Sequence, residues 1–300
     1  MKGCTHRPQT AFCCGRWITY LCLLAVLGCG SARPELPANS GPAAAACEFD
    51  PATAVTLRGR VTWEGDIPSV PPFKVGSYSV PGDIVRQSLT RENPNTPAID
   101  RRTRAVANAV VFLRGVDPRK AKPWKHPPVR VEQAGLRLRV RQGDVDSHCG
   151  FVRRGDAVEM VSREAVFHSL HAGGAAFFTL PFPDPDQPLS RTLNKKGIVE
   201  LSSAAGYYWM RAYLFVGDHP YYARTDARGR FALEQVPPGR YEVICWMPSW
   251  REARHDLDPE TAVVSRVVFG PPAEPAQTIT LGQGEAPVVR FVLSKDSFGR

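Results

Sequence analysis

Three hundred residues can bury one large core or two medium ones, and 43% apolar with 22% charged content belongs to a globular chain rather than a disordered one. The formal charge of +9 raises nucleic acid as a partner, but the arginines are scattered through strand-like stretches (Arg137, Arg139 and Arg141, then Arg224, Arg228 and Arg230). No Lys/Arg block with interleaved aromatics occurs, so solvated strand faces explain the charge and nucleic acid is excluded as the expected partner.

The chain opens with three basic and no acidic residues in positions 1–16, followed by the apolar run WITYLCLLAVLG (17–28). About 20 apolar residues are needed to cross a bilayer, so a run of this length fits the core of an export signal over 1–28. Losing Lys2, Arg7 and Arg16 with it leaves 35 Lys and Arg against 29 Asp and Glu, an excess of +6. Ala25, Val26, Leu27, Gly28 and Cys29 resemble a bacterial lipobox, which implies lipidation of Cys29 and a lipid anchor to a membrane. The Ala-, Pro-, Gly- and Ser-rich stretch 29–52 suits a flexible tether. The expected location is the periplasmic face of a bacterial membrane or the cell surface. Removal of the signal leaves Cys47, Cys149 and Cys245 beside the lipidated Cys29, and an oxidising compartment permits one disulfide among the three without choosing it.

Strand-like runs then alternate with turn clusters: AVTLRGRVTWEG, AVANAVVFLRG, LRLRVRQG, DAVEMVSRE, GIVELSS, WMRAYLFVG, GRFALEQV, RYEVICW and VVRFVLS. No long segment of period 3.6 competes with them, and the 28 Pro and 25 Gly serve the turns, so the fold class is all-β. The Pro-, Ser-, Asn- and Arg-rich stretch 66–104 reads as a long loop, as does 250–275 apart from a strand-like TAVVSRVVF at its centre.

The block from Thr225 to Tyr241 has a mechanical logic. Asp226 caps a tight turn through its carboxylate, Gly229 supplies a positive φ, and Pro237, Pro238 and Gly239 form a second turn. Phe231, Leu233, Tyr241 and Val243 then share one buried face at period two. Together with GRVTWEGDIP (59–68), ANAVVFLRG (107–115), QTITLG and VVRFVLS, this block resembles the carboxypeptidase regulatory-like domain. The resemblance implies a small β-sandwich of transthyretin-like or carbohydrate-binding-like outline.

About a hundred residues in the middle do not fit that domain. GDAVEMVSREAVFHSLHAGG (155–174), KKGIVELSS and YYWMRAYLFVGDHPYYARTD resemble bacterial proteins of the methylamine-utilisation-like group, in which a cupredoxin segment runs into a regulatory-like one. That group carries an Asn-x-Asp turn, a His-x-x-His pair and a Cys-x-x-His-x-x-Met run, a donor set suited to copper. The resemblance puts His168 and His171 on the histidine pair and Met210 on the thioether. Ala204 and Tyr207 stand where the family has Cys and His, and Ser162, Arg163 and Glu164 replace the Asn-x-Asp turn. Trp246 and Met247 replace a Trp-His, and Cys149 stands near the family's upstream Cys at a shorter spacing. Without the thiolate no tightly held copper is expected, and weak Cu(I) binding by His168, His171 and Met210 is what remains.

The expected organisation is a regulatory-like sandwich built from 53–118 and 219–295, with a cupredoxin-like sandwich (119–218) inserted; a tandem arrangement is the alternative. The expected function is a non-catalytic envelope lipoprotein that binds a glycan or a protein partner. Trp246, Trp250, Tyr221 and Tyr222 are the candidate sugar-stacking rings. The alternative is a copper-binding or electron-transfer protein. Catalytic residues are not expected: GxSxG is absent, Ser169 sits beside histidines whose strand geometry turns it away, DPDQP (184–188) lacks calcium-loop spacing, and no carboxylate pair is evident.

Overall fold

The computed structural model describes residues 48–76, 88–257, 259, 264–282, 284 and 286–299. The export segment, Cys29, Cys47 and the tether up to residue 47 lie outside the described residues. The first strands are β1 (Val55–Trp63), β2 (Phe73–Gly76), β3 (Ser88–Arg91), β4 (Ala98–Ile99), β5 (Val106–Ala107) and β6 (Val110–Arg114). Next come β7 (Val129–Ala134), β8 (Arg137–Gln142), β9 (Val145–Ser147), β10 (Cys149–Arg153), β11 (Ala157–Ser162) and β12 (His168–Gly174). They are followed by β13 (Phe178–Phe182), β14 (Leu189–Thr192), β15 (Gly197–Ser203), β16 (Arg211–Gly217), β17 (Tyr222–Arg224) and β18 (Arg230–Val236). The last are β19 (Gly239–Trp246), β20 (Glu252–Leu257), β21 (Val264–Phe269), β22 (Ala276–Leu281) and β23 (Val289–Leu293), before a 3-10 turn at Lys295–Ser297. The all-β expectation holds.

The four larger sheets stack as layers. The first is β18-β1-β23, the second β17-β6-β19-β22, the third β10-β16-β15-β12-β13 and the fourth β14-β11-β7-β8-β9. Layers one and two enclose a core of Leu57, Val61, Val111, Leu113, Phe231, Leu233, Tyr241, Val243 and Phe291. Layers three and four enclose another, including Val131, Val140, Met160, Leu170, Ala172, Leu201 and Leu214. Each pair is therefore a β-sandwich. A third apolar cluster joins them: Val110, Phe112, Ile244 and Trp246 from layer two meet Cys149, Phe151, Tyr213 and Phe215 from layer three.

Strand composition follows from this stack. On β16 the even positions Ala212, Leu214 and Val216 enter the second sandwich, while Tyr213 and Phe215 enter the middle cluster. A strand buried on both faces needs a continuous apolar run, which is what VVFL, VICW, CGFV and AYLFV supply. β8, at the outer layer, has one wet face instead and reads RLRVRQ, with Arg137, Arg139 and Arg141 outward. There Glu132, almost covered, is held by Arg163 at 2.9 Å and by Arg141 and Arg130 at 3.5 and 3.9 Å. Arg224 departs from the solvated-face reading. It reaches across the join, where its guanidinium donates to Ser147 Oγ at 3.0 Å and to the Cys149 carbonyl.

The 225–241 block folds as its residues dictate. Asp226 Oδ1 accepts the backbone N–H groups of Arg228 and Arg230, each at 2.8 Å, and Gly229 has φ +70°. A Cβ on Gly229 would stand 2.3 Å from the Val61 carbonyl oxygen, so no other residue fits. The long-loop expectations need correction. Residues 66–104 include β2, β3 and β4, and 250–275 forms the β20-β21 hairpin. The β2-β3 and β20-β21 hairpins pack on the second sandwich, where Phe73 meets Tyr208 at 5.4 Å and Phe269 at 6.5 Å and Val267 is part of the core, while Ile99 of β4 and Trp250 pack in the first. Asn93 and Asn95 are buried because their amides donate to the carbonyls of Trp250 and Ser249 at 2.9 and 2.8 Å.

Because the middle cluster ties the sandwiches together, urea denaturation followed by tryptophan fluorescence and by circular dichroism is expected to give one coincident transition. Phe215→Ala should lower the stability by about 3–5 kcal/mol. At the return from β16 to β17, His219 stacks on Tyr222 at 5.3 Å, and burial, helped by the Lys196 charge, pushes its imidazole down to about 4. The unfolded chain takes up that proton near pH 6.5, so stability falls as pH drops from there toward 4, by ~3 kcal/mol from this group. Burial lowers His126 and His148 too, with the same sign. Urea midpoints measured from neutral to mildly acidic pH should show a shallower slope for His219→Asn than for the native chain.

Candidate functional site

The residues matched to the family's metal site lie around β12 and the 204–210 segment. β12 runs in unbroken register with β13, His168 opposite Phe182 and His171 opposite Thr179. Side chains alternate along it, so His168, Leu170 and Ala172 point inward while Ser169, His171 and Gly173 point outward. The two histidines therefore sit on opposite faces of the sheet.

His168 is fully buried. Its Nε2 donates to Glu164 Oε2 at 2.9 Å, and the same carboxylate accepts the Leu136 N–H at 3.1 Å. Since a carboxylate accepts, Nε2 donates, and the buried Nδ1 has no hydrogen-bond partner. The Tyr207 ring stands 5.0 Å away, centre to centre. Met210 is buried in the same core, whereas Ala204 is exposed and linked by its N–H to the Ser169 carbonyl at 2.7 Å. His171, half-exposed, bonds Thr179 Oγ1 at 3.2 Å and meets the exposed Phe177 ring.

A copper centre of the kind the resemblance implies does not fit these residues. One imidazole and one thioether face the core, the second imidazole is outside, and no thiolate is available. Cys149 and Cys245 are unpaired with each other and buried, Cys149 in the middle cluster and Cys245 in the first sandwich. Burial pushes both thiols up to about 12. Among the described residues no three His, Cys, Asp or Glu side chains gather as a metal site.

Of the four candidate sugar-stacking rings, Tyr221 and Trp246 are 1% and 2% exposed, and Trp250 packs on Trp63 and Phe298. Tyr222 is half-buried, with Phe112, Phe151 and His219 against it. Period-two alternation could not show this, since covering the outer sheet face is a property of the stack.

A different site emerges where the third layer extends beyond the second. The uncovered outer face of β12, β15 and β16 meets β19, β21 and Pro248 around a cleft of about 390 Å³. Arg211 lies at its base, 3% exposed, with Nη1 donating to the Met210 carbonyl at 2.9 Å and Nη2 to that of Val267. Its Nε stands 3.1 Å from Glu200 Oε1, an ion pair rather than an aligned hydrogen bond. Burial pulls the Arg211 pKa down, Glu200 opposes this, and the like charge of Arg266 adds to it. The indole N–H of Trp246 is buried without a partner, the kind of group that costs about 1–3 kcal/mol when unsatisfied. His171 belongs to this cleft and not to the site of His168. Sequence reading missed Arg211 and Glu200; the signal was a guanidinium heading the otherwise apolar run AYLFV.

No family model and no curated protein matches the chain. The solved structures that match include a mutant of amicyanin in its Cu(I) form, 21% identical over 30% of this chain and 82% of that one, with a TM-score of 0.24. An oxidised amicyanin mutant is 24% identical over the same shares, again at 0.24. Another Cu(I) mutant is 18% identical over 36% of this chain and 98% of amicyanin, also at 0.24.

If the histidines acted as a metal pair, their removal would have like effects. Their surroundings give unlike ones. His168→Ala should destabilise by about 2–4 kcal/mol, through the cavity and the loss of a partner for Glu164. His171→Ala should stay within about 0.5 kcal/mol, both measured by urea denaturation.

Proposed function

We propose that this chain is a non-catalytic binding protein of the bacterial envelope that keeps a cupredoxin-like scaffold without its copper chemistry. The observation that carries this reading is the placement of the inherited positions. His168 is committed to Glu164 and packed by Tyr207, His171 faces away from it, and Ala204 offers no thiolate. Copper at His168 would find one soft donor, Met210, buried in the second sandwich and no thiolate. Ser169 lies on the face opposite its neighbour His168.

Export and lipid anchoring at Cys29 rest on the N-terminal residues and the lipobox resemblance, and a glycan or an envelope protein is the class of partner the reading assigns. Copper loading tests it. After incubation with Cu(I) or Cu(II) and exhaustive dialysis, the purified chain should hold well below one copper per molecule and show no intense visible charge-transfer band. Stoichiometric retained copper or a blue chromophore would sink the proposal and restore the electron-transfer alternative.

A further inference from the structure

We infer that the cleft between β16 and the β20-β21 hairpin binds the carboxylate of a small organic acid. Two guanidinium groups meet there, the buried Arg211 and the exposed Arg266 of β21. Glu200 offsets one of them. Of the other acids nearby, Glu274 lies 3.4 Å from Arg114, which Glu242 shares at 3.6 Å, and Asp256, opposite Arg266 in the hairpin, is paired with Arg254 at 3.0 Å. With Asp256 taken by Arg254, the exposed Arg266 guanidinium is left open to a carboxylate.

The hydrogen-bonding groups agree. Trp246, whose indole N–H is a buried donor with no acceptor, lines the same cleft. A carboxylate accepts from both an indole N–H and a guanidinium. Phe269, stacked on Arg211 at 5.5 Å, and Ile198 give an apolar wall for the body of the acid. The volume suits a molecule of sugar or benzoate size. This inference deepens the binding-protein reading and rests on it.

Titration of the full chain with sodium glucuronate and with sodium benzoate separates a sugar acid from an apolar acid, with glucose as the neutral control and sodium chloride matching ionic strength. The readout is the Trp246 indole N–H resonance, identified by its loss in Trp246→Phe. One acid should shift it saturably, and Arg266→Gln, at an exposed position, should weaken that binding about tenfold or more with the thermal midpoint unchanged. No saturable shift with either acid, an equal shift with glucose or chloride, or unaltered binding by Arg266→Gln would overturn the inference. A failed titration in a chain that retains no copper removes this site and leaves the binding-protein reading standing, so the two failures are distinguishable.

Discussion

The rest of the structure depends on the apolar join between the second and third layers. Phe215 and Tyr213 of β16 meet Trp246 of β19 at 5.1 and 4.9 Å, with Phe112 and Phe151 closing around them. Aromatic pairs packed at steep angles bury large areas with favourable edge-to-face geometry. The join makes β6, β10, β16 and β19 interior on both sides, and it turns two sandwiches into one stack. The chain crosses between them over 115–128 and again at Asp218 to Tyr221, where burial pushes the His219 imidazole down to about 4.

The same stacking governs the site. Because the third sheet is wider than the layer covering it, the outer faces of β12 and β15 emerge beside β16, and the cleft lies along that step. Arg211 is buried there because its carbonyl partners and Glu200 satisfy a guanidinium that water cannot reach. On the inner face, the 204–210 segment is closed over by the β2-β3 and β20-β21 hairpins. Tyr208 Oη donates to the Lys74 carbonyl and Trp209 Nε1 to that of Leu136. An end of the sandwich that would hold metal ligands in the resembled group is here packed with Tyr207, Tyr208 and Trp209.

Much of this was legible in the chain, and the illegible part has a common cause. Asp226, Gly229 and the alternation of Phe231, Leu233, Tyr241 and Val243 are local, so the turn and the buried face followed from spacing. The opposition of His168 and His171 follows equally from strand parity over three residues, once that segment is known to be a strand. By contrast, nothing within a few residues of Trp246 and Tyr221 reports what lies on their outer side. Stretches 66–104 and 250–275 resemble loops in the chain because their strands are short and are held by distant packing on both sandwiches.

The all-β class, the turn chemistry and the absence of a thiolate at position 204 follow from the chain alone, because each is set by a residue's own dihedral limits or functional group. Packing at long range is what joins the sandwiches through a shared core, separates Cys149 from Cys245 by a layer, and brings Arg211 and Trp246 to one cleft. Those outcomes depend on which sheet faces meet, and residues far apart in the chain, such as Phe112, Phe215 and Trp246, specify that jointly through shape and burial.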